Sequence, residues 1–278
     1  MTRQFGCLFL PILSENSSAK CLQCYLLILH IRVDLPNYNA NTIILIPKTN
    51  NSETIGSYRH IALANFKFKI TKILAGRFAS IMPSTISPEH GGFIKGRQIK
   101  DCICVTSEAI NILDNKCFGG NLAFKIDISK AFETIDSSYL IKVLRSFGFN
   151  NKFCSWIEAI LESAHLSISV NGKQYGYFNC KKGIRQGDPL SPLLFCIAGK
   201  VFSRGILNVV KKGNLELIKG TKYMHIPSHT LYDVDDIMVF CKGKSYCFNA
   251  LETLFTRYAL LYREVINPAK SIVYACSM

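Results

Sequence analysis

Acidic residues are scarce in this 278-residue chain, where 19 Asp and Glu stand against 33 Lys and Arg and the formal net charge is +14. A surface of that sign attracts polyanions, either nucleic acid or an anionic membrane, and charge alone does not choose between them. The composition is otherwise that of a folded protein, with 49% hydrophobic and 19% charged residues, which excludes a long disordered or coiled-coil chain. The length predicts one large domain or two small ones.

Long apolar runs are also missing, since a membrane-spanning helix needs about 20 apolar residues. Residues 7–13 are apolar but short, only Arg3 precedes them, and no small-residue cleavage site follows. Residues 24–33 are interrupted by His30 and Arg32. We therefore expect no membrane anchor and no secretion, which leaves the nucleus or the cytoplasm. Residues 1–40 show no clear period and are interpreted as a poorly determined leader.

The twelve cysteines lack the spacing of a metal site or of a disulfide scaffold. Cys21 and Cys24 form a C-x-x-C pair, but no second pair follows at zinc spacing. We interpret the cysteines as reduced and mostly buried thiols.

Hydrophobic periodicity predicts a mixture of strands and helices. Residues 43–46 predict a buried strand, and alternation over 122–127 predicts another, in which Asp127 ends the polar face. Apolar residues recur at helical spacing over 70–81, 102–113, 140–147, 153–161 and 251–261. Asn171-Gly172 predicts a hairpin turn between residues 166 and 177. Asp188 and Pro189 predict the N-cap and first residue of a further helix.

An acidic hairpin is predicted near residue 235, where strands at 229–231 and 237–240 flank Asp233-Val234-Asp235-Asp236. With the strand at 122–127, the helix after Pro189, the helix at 251–261 and a strand at 271–274, this gives a ferredoxin-like β-α-β-β-α-β order. Adjacent strands lie roughly 4.8 Å apart, so Asp127, Asp235 and Asp236 are expected to come together.

Three neighbouring carboxylates repel one another unless divalent cations neutralise them. A two-ion Mg²⁺ site would accommodate them, and the usual chemistry of such a site is in-line phosphoryl or nucleotidyl transfer. The alternative from spacing alone is a solvated acidic turn beside an unrelated strand-end aspartate.

From about Leu35 onwards, the sequence resembles the reverse transcriptases of LINE-type non-LTR retrotransposons, and most of all those of plants. The segments that carry the resemblance are LIPK at 45–48, YRHIAL at 58–63, GFIKGRQ at 92–98, IDISKAF at 126–132, GIRQGDPLSP at 183–192, VDD at 234–236 and NPAKS at 267–271. Seven ordered motifs are far more specific than any one of them. The resemblance implies an α+β polymerase fold, with fingers at about 41–120, a palm at about 121–278 and no thumb.

The resemblance also implies the metal site and its chemistry. Asp127 and Asp235 would bind two Mg²⁺ ions, or Mn²⁺, with Asp236 beside them. A primer 3′ oxygen would then attack the α-phosphate of an incoming dNTP, so the implied partners are an RNA template, a DNA primer and dNTPs. Phe132 matches the family's aromatic gate against a ribose 2′-OH, and simple core packing is its alternative role.

Five further residues match substrate-binding positions of the family. Arg185 and Gln186 match the loop that packs over the templating base pair, Lys48 and Arg59 match cations that meet the triphosphate, and Lys270 matches a lysine that protonates pyrophosphate. Without the resemblance, the loop is an ordinary glycine turn and the cations are solvated. Other basic residues expected to contact nucleic acid are Lys67, Lys69, Lys72, Lys95, Arg97, Lys181 and Lys182.

Some residues depart from the family pattern. Asp233-Val234 separates Tyr232 from the aspartate pair, one residue more than usual, and an inserted residue either bulges a strand or reverses its faces. Glu133, Ser137 and Tyr262-Arg263 also differ, and neither an endonuclease nor a thumb is recognised. We therefore expect a truncated polymerase segment with feeble activity. A catalytically inactive nucleic-acid-binding remnant and an RNA-dependent RNA polymerase are the alternatives.

Overall fold

The computed structural model describes residues 39–64, 69–115, 120–218, 226–231, 236–262 and 265–275. The strands of these residues are β1 (Ala40–Pro47), β2 (Tyr58–Ala64), β3 (Asn121–Ser129), β4 (His165–Val170), β5 (Lys173–Asn179), β6 (His229–Leu231), β7 (Asp236–Lys242), β8 (Val265–Ile266) and β9 (Ile272–Ala275). The helices are α1 (Lys69–Thr85), α2 (Ile99–Leu113), α3 (Ala131–Thr134), α4 (Ser137–Ser146), α5 (Asn151–Glu162), α6 (Ser191–Lys211) and α7 (Ser245–Tyr262). The mixture of strands and helices predicted from the periodicity, and the α+β class that the resemblance implies, are confirmed.

The described residues fall into two compact units. Unit 1 takes its residues from Met1–Phe78 and Ile135–Ser191, and unit 2 from Ala79–Thr134 and Pro192–Met278. Each unit is thus assembled from two separate stretches of chain. The expected single boundary near residue 120, between fingers and palm, stays a prediction.

Unit 1 contains a four-stranded sheet in the order β2-β1-β4-β5. β1 pairs antiparallel with β2 and parallel with β4, and β4 and β5 form the hairpin predicted at Asn171-Gly172. Both turn residues have positive φ, 51° and 76°, as the tight hairpin turn requires. Asp136 and Asn150 are the N-caps of helices α4 and α5, and their side chains accept hydrogen bonds from backbone N–H groups in the first turn of each helix.

Unit 2 contains the sheet that carries the predicted acidic residues. β3 lies between β7 and β9, and β6 pairs with the far side of β7, all antiparallel. With α6 and α7 this is the expected β-α-β-β-α-β order, and the short strand β8 additionally pairs with Ile128 and Ser129 of β3. One core cluster joins Ala109 and Ile112 of α2 to Ala123, Met238 and Phe240 of the sheet.

Two predicted helix boundaries are wrong. The helical pattern over 70–81 predicts an end before Pro83, but helix α1 continues through Pro83 to Thr85. An Arg97 guanidinium nitrogen donates to the Pro83 carbonyl in that last turn. Helix α6 begins at Ser191, because Asp188 and Pro189 belong to the turn before it. In that turn, the Asp188 carboxylate accepts a hydrogen bond from the Leu190 N–H, and the Asp188 backbone carbonyl accepts one from the Ser191 N–H.

By length and composition alone, α6 would suit a membrane span, yet 56% of its most apolar window is buried inside the protein. Such burial is typical of a core helix.

Candidate functional site

The site is built around two aspartates on neighbouring strands of unit 2. Asp127 on β3 and Asp236 on β7 are direct antiparallel partners, so their side chains share one face of the sheet. The side chain of Asp127 is 13% exposed and that of Asp236 is 38% exposed. The predicted convergence of Asp127 and Asp236 is therefore observed. Asp235 and the inserted Asp233 lie outside the described residues.

Two lysines are the cations nearest to these carboxylates among the described ion pairs. Lys125 Nζ lies 3.5 Å from Asp236 Oδ1, and Lys270 Nζ lies 4.0 Å from Asp127 Oδ2. Both lysines are substantially exposed, at 37% and 69%, and exposed pairs of this kind stabilise a protein by about 1 kcal/mol or less. A divalent cation can therefore displace them at small cost.

The donor set is chemically suited to a hard cation. Mg²⁺ takes oxygen ligands, usually one or two carboxylates together with water and substrate phosphate. Asp127 and Asp236 supply two carboxylates on one face, although no group of three His, Cys, Asp or Glu is assembled within the described part of the chain. The described residues therefore supply two of the carboxylate ligands that a divalent-metal site would need.

The backbone of Asp127 is held at both its N–H and its carbonyl by the turn between β8 and β9. The Asp127 N–H donates to Ser271 Oγ at 3.2 Å, and the Asn267 N–H donates to the Asp127 carbonyl at 2.9 Å. Ser271 Oγ in turn donates to the Asn267 carbonyl at 2.8 Å. From this NPAKS motif the sequence interpretation assigned a role only to Lys270. It missed that Asn267 and Ser271 hold the Asp127 backbone by hydrogen bonds, although both residues belong to the motif that the sequence showed.

Phe132 is the second residue of the short helix α3. This helix directly follows Lys130, which has a positive φ of 53°. Its ring is half-buried, and its centroid lies 5.5 Å from that of Phe195 on α6. The structure thus shows the packing contact and also leaves part of the ring accessible.

Arg185 is buried in unit 1. Its guanidinium donates to Asn39 Oδ1 and, at 3.3 Å, to Asp188 Oδ2, in a pair whose side chains are 3% and 5% exposed. Burial raises the pKa of the Asp188 carboxyl, and the guanidinium acts in the opposite direction. The described contacts of Arg185 therefore hold its own loop in place.

The neighbouring Gln186-Gly187 segment lies against strand β2. The Ala62 N–H donates to the Gln186 carbonyl at 2.9 Å. Gly187 has a φ of 107°, and a Cβ there would lie 2.6 Å from the Ala62 carbonyl oxygen. Any residue other than glycine at position 187 would therefore displace the loop.

Lys48 and Arg59 lie at one end of the β1–β2 hairpin. Arg59 is exposed opposite Ile46, and the exposed Lys48 donates from Nζ to the Gly56 carbonyl at 2.9 Å. Both cations are therefore on the surface of unit 1.

Arg97 of unit 2 has a structural role that the sequence interpretation missed. Its guanidinium donates to the carbonyls of Ile86 and His90, at 2.8 and 2.9 Å, and to those of Pro83 and Ser87. These carbonyls follow or belong to the last turn of α1, so Arg97 closes that end of the helix. Lys72, Lys95, Lys181 and Lys182 are exposed, whereas Lys67 and the side chain of Lys69 lie outside the described residues.

Comparison with known proteins places this arrangement in a family. Residues 46–276 match the family model described as reverse transcriptase (RNA-dependent DNA polymerase). The chain is 28% identical over 160 residues to the transposon TX1 uncharacterized 149 kDa protein of Xenopus laevis, covering 57% of this chain and 12% of that protein. It is 26% identical over 153 residues to the Pol polyprotein of the type-2 retrotransposable element R2DM of Drosophila melanogaster, covering 55% and 14%.

Among solved structures, the chain is similar to an apo telomerase from Candida tropicalis, truncated from its C-terminal domain. The TM-score is 0.58 at 13% identity, over 92% of this chain and 55% of that one. At this identity the likeness concerns the fold, and it agrees with the polymerase fold implied by the motifs. Reverse transcriptases generally use divalent metal ions, as the carboxylate pair would allow. The relatives of this chain include proteins of the transposon TX1 and of the retrotransposable element R2DM. Since the family model covers most of its length, the chain belongs to the reverse transcriptase family.

Proposed function

We propose that this chain is the polymerase segment of a retrotransposon and transfers nucleotides from dNTPs to a primer 3′-OH on an RNA template. The observation that carries the proposal is the direct pairing of Asp127 with Asp236 on β3 and β7, within a β-α-β-β-α-β sheet of a reverse transcriptase family member. The aligned parts of the curated relatives cover 12% and 14% of their lengths, so the activity is proposed for this segment alone.

Asp127 and Asp235 would hold two Mg²⁺ or Mn²⁺ ions, and Asp236 would add its carboxylate at the same face. Bound there, the ions would activate the primer 3′ oxygen and stabilise the charge that develops on the pyrophosphate. Asp127 is well suited to this role because the turn at Asn267 and Ser271 hydrogen-bonds both its backbone N–H and its carbonyl. These hydrogen bonds fix the position of the main chain from which the Asp127 carboxylate extends.

Lys270 would supply the proton to the leaving pyrophosphate. Its Nζ lies 4.0 Å from Asp127 Oδ2 and its side chain is 69% exposed, so it can leave the carboxylate for a phosphate oxygen. Phe132 would exclude a ribose 2′-OH with the accessible part of its ring.

In unit 1, Arg59 and Lys48 would meet the triphosphate, for which the fork of the guanidinium is suited. Gln186 would contact the templating base pair. Arg185 would act on the substrate only indirectly, by holding the loop that carries Gln186.

Primer extension tests this function. The chain is supplied with Mg²⁺ and a primed RNA template, with dNTPs in one arm and rNTPs in another, beside the variants Asp127→Asn and, as a matched control, Glu252→Gln on the exposed face of α7. We expect dNTP extension by the parent and by Glu252→Gln, and none by Asp127→Asn. Nucleic-acid binding without any extension would make the chain a binding remnant, and extension with rNTPs alone would make it an RNA polymerase.

A further inference from the structure

The β4–β5 hairpin of unit 1 carries an unusual exposed aromatic surface. β5 is the edge strand of its sheet, and all seven of its residues are exposed. Tyr175, Tyr177 and Phe178 are 55%, 53% and 43% exposed, and Val170 at the end of β4 is 45% exposed. Clustered exposed apolar side chains on a sheet edge are typical of interaction sites.

A bulge decides which of these rings share a face. Tyr175 pairs with Ile168 and Phe178 with Leu166, so Gly176 and Tyr177 together oppose a single residue of β4. Gly176 has a φ of 69°, as the first residue of such a bulge requires. Because of the extra residue, Tyr175 and Phe178 lie on one face of the hairpin. Tyr177 lies on the other, stacked on His165 at 4.7 Å between ring centroids.

The spacing of the two rings on the shared face is set by their partners. Leu166 and Ile168 are two residues apart on β4, which is about 6.8 Å along a strand. Stacked bases in a duplex rise by about 3.4 Å, so this spacing suits bases that have separated from one another in an extended strand.

The surroundings of the rings are basic. Residues 163–187 contain no Asp or Glu, and Lys173, Lys181 and Lys182 within them are exposed. Lys173 pairs with Val170 and so lies on the same face as Tyr175 and Phe178. A polyanion is therefore the complementary ligand for this surface.

The same hairpin is poorly suited to pairing with another strand. Its edge is twisted by the bulge at Gly176 and carries Lys173, which are two devices that prevent edge-to-edge pairing of sheets. Side-chain stacking, rather than backbone hydrogen bonding, is the contact that this edge offers.

We propose that the β4–β5 hairpin binds single-stranded nucleic acid, with Tyr175 and Phe178 as stacking platforms and Lys173, Lys181 and Lys182 as phosphate contacts. Aromatic stacking is tolerant of base identity, so binding should be independent of sequence. This site lies outside the catalytic residues and does not require nucleotide transfer. Asp127→Asn is expected to abolish nucleotide transfer and should therefore leave hairpin binding unchanged.

Fluorescence anisotropy tests the proposal with three labelled probes of equal length: single-stranded RNA, an abasic strand of the same charge, and duplex RNA. Tyr175→Ala combined with Phe178→Ala should weaken binding of the single strand by roughly thirtyfold or more, while binding of the abasic strand stays as in the parent. Lys173→Gln combined with Lys182→Gln should weaken the binding of both the base-containing and the abasic single strand. It should also lower the slope of log affinity against log salt by about 0.7 per lysine.

Two variants serve as controls. Tyr246→Ala removes an aromatic ring of unit 2 that is 43% exposed, as Phe178 is, and should bind like the parent. Tyr175→Phe combined with Phe178→Tyr keeps both rings and should bind the single strand like the parent, which guards against misfolding of the alanine variant.

The proposal is overturned if the parent binds the abasic and the base-containing strands equally. It also fails if the double alanine variant keeps parental affinity. A parent dimer in sedimentation that the alanine variant dissociates would instead assign the hairpin to contact with a second copy of the chain.

Discussion

The backbone N–H of Asp127 donates to Ser271 Oγ across 144 residues of sequence. This hydrogen bond joins the carboxylate that is proposed to bind metal to the turn that carries Lys270. One hydroxyl thereby joins the strand that carries Asp127 to the turn that carries Lys270.

Removing that hydroxyl should affect catalysis more than stability. Ser271→Ala removes the acceptor of the Asp127 N–H, whereas the Asn267 carbonyl keeps the backbone N–H groups of Lys270 and Ser271 as donors. A displacement of a catalytic group by about 1 Å can cost roughly a hundredfold in rate. We expect kcat for primer extension to fall at least tenfold, with a smaller change in KM for dNTP. Ser271→Thr keeps the hydroxyl and should restore most of the rate. Equal rates for the alanine variant and the parent would show that the hydrogen bond has no positioning role.

The Mg²⁺ requirement should respond in opposite directions to two neighbouring changes. Asp236→Asn removes a carboxylate from the shared face and should raise the Mg²⁺ concentration for half-maximal extension by roughly tenfold. Lys125→Gln removes the cation that lies 3.5 Å from Asp236 and should lower it. A Mg²⁺ titration of extension rates measures both, and an unchanged midpoint in Asp236→Asn would exclude that carboxylate from the site.

The variant Phe132→Val distinguishes between two roles of Phe132, exclusion of the ribose 2′-OH and packing against the core. If the ring excludes the 2′-OH, the ratio of rNTP to dNTP incorporation should rise, whereas loss of contact with Phe195 should lower the free energy of unfolding by about 1 kcal/mol. Competitive incorporation and denaturant unfolding measure the two effects independently. Lower stability at an unchanged ratio would leave Phe132 with the packing role only.

Arg97 should contribute to stability rather than to nucleic-acid binding. Arg97→Lys keeps the charge but loses the fork that reaches four carbonyls around the end of α1, and an unpaired buried carbonyl costs about 1–3 kcal/mol. We expect the free energy of unfolding to fall by about 2 kcal/mol. Affinity for single-stranded RNA and its salt dependence should stay as in the parent. Weaker binding at unchanged stability would contradict this assignment.

The free energy of unfolding should decrease as the pH is lowered, because of a buried histidine network in unit 2. His90 Nε2 and His229 Nε2 lie 3.0 and 2.8 Å from Ser203 Oγ. Burial lowers the pKa of His90 to about 3 and that of His229 to about 4, with Lys200 acting in the same direction on both.

Between pH 6.5 and 4 the unfolded histidines bind protons and the folded ones do not, so the free energy of unfolding decreases as pH falls, by about 1.4 kcal/mol per pH unit for each histidine. Denaturant unfolding at several pH values should show this loss. His229→Gln should reduce the slope by the share of one histidine. An identical slope in that variant would contradict the lowered pKa of His229.

Local sequence pattern was sufficient for the elements and for part of the site. Alternation over residues 122–127 placed Asp127 on the polar face of β3, and helical spacing located most helices to within a few residues, because both periods act between near neighbours. The order of elements then predicted the ferredoxin-like sheet, and the seven motifs indicated the family.

Only the tertiary structure decided the contacts between distant residues. The register that pairs Asp127 with Asp236, the hydrogen bond from Asp127 to Ser271 and the buried position of Arg185 each depend on residues from separate stretches of chain. An arginine in a motif looks the same in sequence whether it meets a phosphate or four backbone carbonyls, since its donors suit both. Which partner it has is decided by burial, and burial is a property of the packed chain.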